Sequence, residues 1–202
     1  MEDILMNRRE RKKEETRLKL ISVAMDLFKK KGFQNTTMEE IAEIGDVSKG
    51  TLYNYYQDKE TILCAYFQRI FKDKRLEIVE ALNKHKTIEG KLSSLLDMSK
   101  EVMGEDLGLS TIYFKHRLQT FFDNNSVYNL QRSSREELLL ELITEAQEKK
   151  EIRNDIPASV IARTFQFLSL NYFITSTYDK ASGNKKNFKE HLMEMFLNGV
   201  KL

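Results

Sequence analysis

With 202 residues, one proline, eight glycines and 32% charged side chains, the chain has room for a real core and few helix breakers, which points to an all-α protein. Its single cysteine, Cys64, excludes an intramolecular disulfide and a cysteine-rich metal site, and no apolar run approaches the length of a membrane span. The charged start MEDILMNRRERKKEE lacks the apolar stretch of a signal peptide, so a soluble, cytoplasmic protein is expected, and the net charge of +2 does not by itself point to nucleic acid.

Charge is unevenly placed. From Arg8 to Lys31 there are ten Lys and Arg against four Asp and Glu, a local +6. Arg8, Arg9, Arg11, Lys12 and Lys13 read as an arm ahead of the first helix, either a solvated terminus or, beside a DNA-binding element, a reach toward phosphates or the minor groove. The first helix is predicted over residues 14–31, with Leu18, Ile21, Met25 and Phe28 on one stripe that Leu20, Ala24 and Leu27 widen. Gly32 is the expected residue just past its end, and the three lysines before it favour the negative end of the helix dipole.

Residues 37–59, TMEEIAEIGDVSKGTLYNYYQDK, read as two short helices joined by a tight turn. Thr37 and Glu40 have capping-box spacing, and Met38, Ile41 and Ala42 supply a small apolar face. Gly45-Asp46 is expected to break the helix, glycine through its freedom at positive φ and Asp as one of the few other residues that tolerates it. Val47 returns to the core, Ser48 is the N-cap, and Lys49–Tyr55 form the second helix. Leu52 and Tyr56 take the inward places; Lys49, Thr51, Tyr53 and Tyr55 are outward donors long enough to reach phosphates or bases. The N–H groups of Lys49, Gly50 and Thr51 favour an anion or a base edge. Gly50 costs a helix about 1 kcal/mol relative to Ala, which close approach to DNA would offset.

A further helix is predicted over 58–84, about 27 residues and roughly 40 Å, too long for a three-helix unit and therefore a link to the rest of the chain. Helices are then expected over 88–103, 110–122, 133–151, 158–178 and from about 187 to the C-terminus, with breaks at 104–108, 123–125 and 180–186. That makes an all-α fold of about nine helices, with no β pattern and no repeat. The helix over 158–178 is apolar nearly all round and must be buried on several sides. With the last helix it forms either the core of a monomer or a subunit interface; the residues alone do not choose.

The run Gly32-Phe33, Thr36-Thr37, Ile41-Ala42, Val47-Ser48-Lys49-Gly50-Thr51-Leu52-Tyr53, Tyr55-Tyr56 and Lys59-Glu60 resembles the DNA-binding domain of the TetR family of bacterial transcriptional regulators, over about 45 residues from Thr16 to Glu60. One departure is that the family usually has Ala-Gly where this chain has Gly45-Asp46. The resemblance implies a helix-turn-helix domain at 1–60, a connecting helix at 61–84 and a larger helical ligand-binding and dimerisation domain at 85–202. It implies DNA contact by Thr37, Ser48, Lys49, Gly50, Thr51, Tyr53, Tyr55 and Lys59, with Thr37, Tyr53 and Lys59 on phosphate. It also implies dimerisation through the last two helices, for which Phe165, Leu168, Phe173, Leu192, Met195 and Phe196 are the candidates.

Tyr113, Phe114, Phe121 and Phe122, with Phe165, Tyr172 and Phe173, would equally line a cavity for an apolar ligand or fill an ordinary core. His116, Arg117, Gln119 and Asn171 are the candidate polar groups of such a cavity. His85, His116 and His191 lie in no metal-ligand cluster, and Cys64 reads as a small core residue. There is no P-loop, no GxGxxG and no nucleophile elbow, so neither an enzyme nor a cofactor is expected. The expectation is a homodimeric repressor that binds double-stranded DNA at an inverted repeat and is released by a small, largely apolar effector. A DNA-tethered adaptor whose C-terminal domain binds a protein is the alternative.

Overall fold

The computed structural model describes residues 7–123, 134–178 and 185–201; of 120–123 and 185–186 it describes the backbone alone. Among them are ten helices: α1 (Arg8–Lys31), α2 (Met38–Ile44), α3 (Lys49–Tyr55), α4 (Lys59–Asp73), α5 (Arg75–Asn83), α6 (Ile88–Gly104), α7 (Leu107–Asp123), α8 (Ser134–Glu148), α9 (Ala158–Tyr178) and α10 (Lys185–Val200). Extended backbone pairing among the described residues is confined to one isolated bridge, Ile152 with Lys201. None of these helices is long and apolar enough to cross a membrane. The breaks expected at 124–125 and 180–184 lie outside the described residues.

Two compact units divide the chain: residues 7–69 with 108–123, and residues 70–107 with 134–178 and 185–201. In the first, α1 buries Leu20, Ile21, Ala24, Met25 and Phe28, and α2 packs against it through Met38, Ile41 and Ala42. Leu20, Ile41 and Leu52 are fully enclosed, and each such side chain contributes about 1.5–3 kcal/mol by leaving water. The basic run is not an arm. Asn7 caps α1: its Oδ1 accepts from the N–H groups of Arg9 (2.9 Å) and Glu10 (3.0 Å), while Glu10 accepts from the Asn7 N–H. Arg8 to Lys13 are therefore the first turns of a 24-residue helix.

The long linking helix expected over 58–84 is interrupted at Lys74, where ψ turns to 3°, so ten helices replace about nine. The α-helical bonds continue on both sides, Lys74 N–H to the Ile70 carbonyl and Ile78 N–H to the Lys74 carbonyl, each 2.9 Å. Neither Gly nor Pro marks the spot, which is why the apolar pattern runs straight through it.

In the second unit α9 packs on α6, α8 and α10. Leu92, Leu95 and Leu96 of α6, Leu139 and Ile143 of α8 and Phe165 of α9 are at most 1% exposed. The segment after α8 is held from within: the Gln147 Nε2 donates to the carbonyls of Arg153 (2.9 Å) and Ile156 (2.8 Å), and the Arg153 N–H donates to the Val200 carbonyl (2.8 Å). Helix α8 ends at Glu148, short of the expected 151, because Lys150 adopts φ 58°. The N–H of Glu151 returns to the Ala146 carbonyl and that of Lys150 to the Gln147 carbonyl, the paired bonds of a Schellman stop. A left-handed lysine is strained where glycine is not. Lys150→Gly is expected to stabilise the protein by about 0.5–1 kcal/mol, measured as a higher denaturant midpoint.

Candidate nucleic-acid interface

The site is built from capping chemistry upward. Thr37 caps α2: its Oγ1 accepts the Glu40 N–H (3.2 Å), and Glu40 accepts from the Thr37 N–H (2.9 Å) and hydroxyl (3.0 Å). Lys31, at the end of α1, also pairs with Glu40. The Lys31 ammonium, followed by the Thr37 N–H and hydroxyl, lowers the Glu40 carboxyl from its ordinary 4.5 to about 2. A depressed carboxyl favours the fold above its unfolded value, so this contribution is present above about pH 4.5 and is lost as pH falls through about 2.

Of the two residues expected to break the helix, the left-handed conformation falls to the second. Gly45 has φ −69°, and it is Asp46 that takes the left-handed conformation at φ 53°. Glycine is required at 45 for space: a Cβ there would lie 2.7 Å from the Ile41 carbonyl oxygen and 2.8 Å from Leu20 Cδ2. After the turn Ser48 caps α3, its Oγ accepting the Thr51 N–H (3.1 Å) and lying 2.8 Å from the Thr51 hydroxyl. Helix α3 keeps its expected inward residues, but two of the four expected outward ones are only partly exposed. Leu52 and Tyr56 are buried, Lys49, Gly50 and Tyr53 are exposed, and Thr51 and Tyr55 are half-buried. Tyr56 is fixed by Arg17 of α1, whose Nε donates to its hydroxyl (3.3 Å) while that hydroxyl donates to the Arg17 carbonyl (3.4 Å).

Two charged side chains have partners that sequence reasoning missed. Lys59, at the start of α4, donates to the carbonyls of Phe33 and Thr36, 2.7 Å each, and its ammonium lies 4.6 Å from the centre of the Phe33 ring. It clamps the α1–α2 loop with two of its three N–H bonds. Lys49, the first residue of α3, pairs with Glu39 of α2 at 3.0 Å, and this contact lowers the Glu39 carboxyl below its ordinary range. Nothing in the spacing of a seven-residue helix marks Glu39 as facing α3.

The other expected set does not come together within one compact unit. Phe114, His116 and Arg117 lie on α7 in the first unit, whereas Phe165, Asn171 and Tyr172 lie on α9 in the second. The Phe121 side chain is outside the described residues. Phe165 is fully enclosed, its ring 5.2 Å from that of Phe196, and Tyr172 is buried against Phe188 with the Lys100 ammonium 5.4 Å from its ring. Asn171 points outward, with Thr175 donating to its Oδ1 (3.1 Å), so it lines no interior space. Three of the expected interface residues are likewise corrected. Phe165, Phe173 and Phe196 are 0%, 4% and 6% exposed and belong to the chain's own core, while Leu168 and Leu192 are half-buried and Met195 is 74% exposed. Because α9 is apolar almost all round, its sequence does not say which side faces its own chain.

Burial pushes the Cys64 thiol up to about 11, an effect the Arg117 guanidinium only partly offsets. Its thiolate fraction at neutral pH is then about 100-fold below that of a cysteine at 9. Folded protein is expected to be alkylated by iodoacetamide about two orders of magnitude more slowly than protein in denaturant, followed by mass spectrometry.

Known proteins resemble the chain most clearly over its first unit. Residues 20–66 match the family described as bacterial regulatory proteins, tetR family. The HTH-type transcriptional regulator YerO of Bacillus subtilis is 34% identical over 97 residues, 46% of this chain and 29% of YerO. RutR of Escherichia coli is 39% identical over 51 residues, 25% of this chain and 24% of RutR. The chain thus spans less than half the length of these curated relatives. Across the whole fold, the TetR-family repressor FadR of Thermus thermophilus, solved with lauroyl-CoA, superimposes with a TM-score of 0.62 and 25% identity, covering 90% of this chain and 91% of its own. FadR of Bacillus subtilis, solved with stearoyl-CoA, shares the fold at a TM-score of 0.55 and 16% identity, covering 90% of this chain and 98% of its own.

Proposed function

Because the chain belongs to the TetR family of bacterial transcriptional regulators, we propose that it is a homodimeric repressor released from an inverted-repeat operator by a small, largely apolar ligand. Residues 1–60 read DNA, 61–84 connect, and 85–202 bind the ligand and the second protomer. The observation that carries the DNA reading is α3 itself: a helix capped by Ser48, anchored by Leu52 and Tyr56, with Lys49, Gly50 and Tyr53 exposed. Such a helix enters the major groove with its first turn near base edges, and two copies would occupy grooves about 34 Å apart. Thr37, Tyr53, Tyr55 and the remaining Lys59 N–H take phosphate; Lys49 and Thr51 read bases. Ser48 and Gly50 hold the helix start close to the duplex.

Support for the dimer comes from the outer stripe of α9. Val160, Thr164, Phe167, Asn171, Ile174 and Tyr178 recur at alternating spacings of four and three, and all are exposed. Phe167, Ile174 and Tyr178 remain 46–49% open to solvent. A stripe of this kind, together with Met195 on α10, suits burial against its own symmetry mate in a four-helix arrangement. It replaces the buried phenylalanines as the interface.

For the ligand, the likeness to Thermus FadR supports a fatty acyl thioester. The ligand would act only through its different affinity for the free and DNA-bound states. Fluorescence anisotropy on a selected operator tests this, with lauroyl-CoA against coenzyme A alone. Release by the acylated form only is expected; no release by any chain length would contradict the ligand class. Tyr53→Phe should weaken binding to all sequences alike and leave the slope of affinity against salt nearly unchanged, because a neutral hydroxyl releases no counterion. A changed base preference would remove Tyr53 from the phosphate set.

A further inference from the structure

We propose that Glu39 is a specificity-determining positioning residue, which holds the Lys49 ammonium away from phosphates and aims it at a base edge. The inference rests on the DNA reading of α3 given above. Lys49 and Glu39 are the contact between two helices: Nζ of the first residue of α3 lies 3.0 Å from Oε1 in the first turn of α2, with both side chains at least half exposed. The neighbouring glutamate has a different task. Glu40 closes the Thr37 capping box and pairs with Lys31, so Glu39 is left to reach across to α3.

A lysine on a flexible four-carbon stem binds whichever acceptor is nearest, and on a duplex phosphate oxygens are the most abundant. A carboxylate in contact with the ammonium changes that in two ways. It occupies one of the three N–H bonds and fixes the direction of the other two. It also sets a negative charge within one ion-pair distance of any phosphate that would draw the ammonium off. On non-cognate DNA, Lys49 then stays paired and adds little. On the operator it keeps Glu39 and donates a second N–H to a base acceptor such as guanine O6 or N7. An ion pair this exposed contributes little to stability, so its effect belongs to partner choice, where a built-in penalty on wrong partners raises discrimination. A rival role would make Glu39 merely an acidic residue favoured by the α2 dipole; that role would affect melting and leave sequence preference alone.

The test is Glu39→Gln, nearly isosteric at an exposed position, in the full-length protein. Affinity for a selected operator duplex and for a scrambled duplex is measured by anisotropy between 50 and 200 mM salt, alongside thermal melting. Scrambled-DNA affinity is expected to rise about fivefold and its salt slope to steepen by about 0.9 as Lys49 gains one phosphate. Operator affinity does not rise, so the specificity ratio falls about fivefold. In a Lys49→Gln background the same substitution should leave that ratio unchanged. Equal gains on both duplexes would reduce Glu39 to simple repulsion and overturn the proposal, as would an unchanged ratio or an effect that persists without Lys49. Failure of the wild-type protein to discriminate the two duplexes would overturn the DNA reading of α3 instead, and is seen before any variant is made.

Discussion

Phe165→Ala is expected to lower stability by about 3–5 kcal/mol, the largest effect of any single substitution considered. The ring is fully enclosed in α9, edge-on to Phe196 at 5.2 Å, in a helix packed against α6, α8 and α10. Truncation removes the transfer free energy of an aromatic ring and leaves a cavity that three neighbouring helices cannot collapse to fill. A domain with a net stability of about 5–15 kcal/mol would lose about a fifth or more of it. Denaturant unfolding followed by circular dichroism reads the loss. Leu76→Ala, at 77% exposure on α5, is the matched control and should stay within about 0.5 kcal/mol of wild type. A loss below about 1 kcal/mol at Phe165 would return that residue to the surface and restore it as an interface candidate.

Gly45→Ala is expected to damage the helix-turn-helix more than any change at Asp46. The added Cβ would sit 2.7 Å from a backbone carbonyl oxygen, that of Ile41, and 2.8 Å from Leu20 Cδ2, a fully buried atom of α1. Neither neighbour can yield without moving α2 or opening its packing on α1, which costs about 1–3 kcal/mol. Displacing the end of α2 also displaces Val47 and the Ser48 cap, and with them the first turn of α3. Operator affinity should therefore fall about tenfold or more, the equivalent of about 1.4 kcal/mol. Asp46→Gly is the opposite case. Its residue already has φ 53°, so glycine relieves strain and should hold or raise the melting temperature. If Gly45→Ala bound the operator as wild type does, the steric account of the turn would be wrong.

The pair illustrates how far the sequence could be read. Gly45-Asp46 marks a turn in any reading, but composition cannot say which residue takes positive φ; that depends on what already occupies the space beside α2. Helices α2, α3 and α9 were legible because caps and long periodic runs act locally: Thr37 with Glu40, Ser48, and the apolar stretch that begins at Ala158. Asn7 followed by Glu10 is also a local cap, yet five basic residues beside it suggested a loose arm and hid the signal. The interruption at Lys74 carries no Gly or Pro and had no signal to find. Contacts across elements were beyond reach. The inward turn of Lys59, the Arg17–Tyr56 pair and the Glu39–Lys49 pair all depend on how helices meet. The same holds for α9, whose uniform apolarity concealed that Phe165 and Phe173 face its own chain while Phe167 and Ile174 face out.

Selection from a random pool of duplex DNA, with purified full-length protein at moderate salt, tests the central claim most directly. A dimer that presents two copies of α3 predicts enrichment of an inverted repeat whose half-sites lie one helical turn apart. Binding that weakens steeply with salt and enriches no sequence would contradict it, because phosphate attraction alone would then account for all contact with DNA.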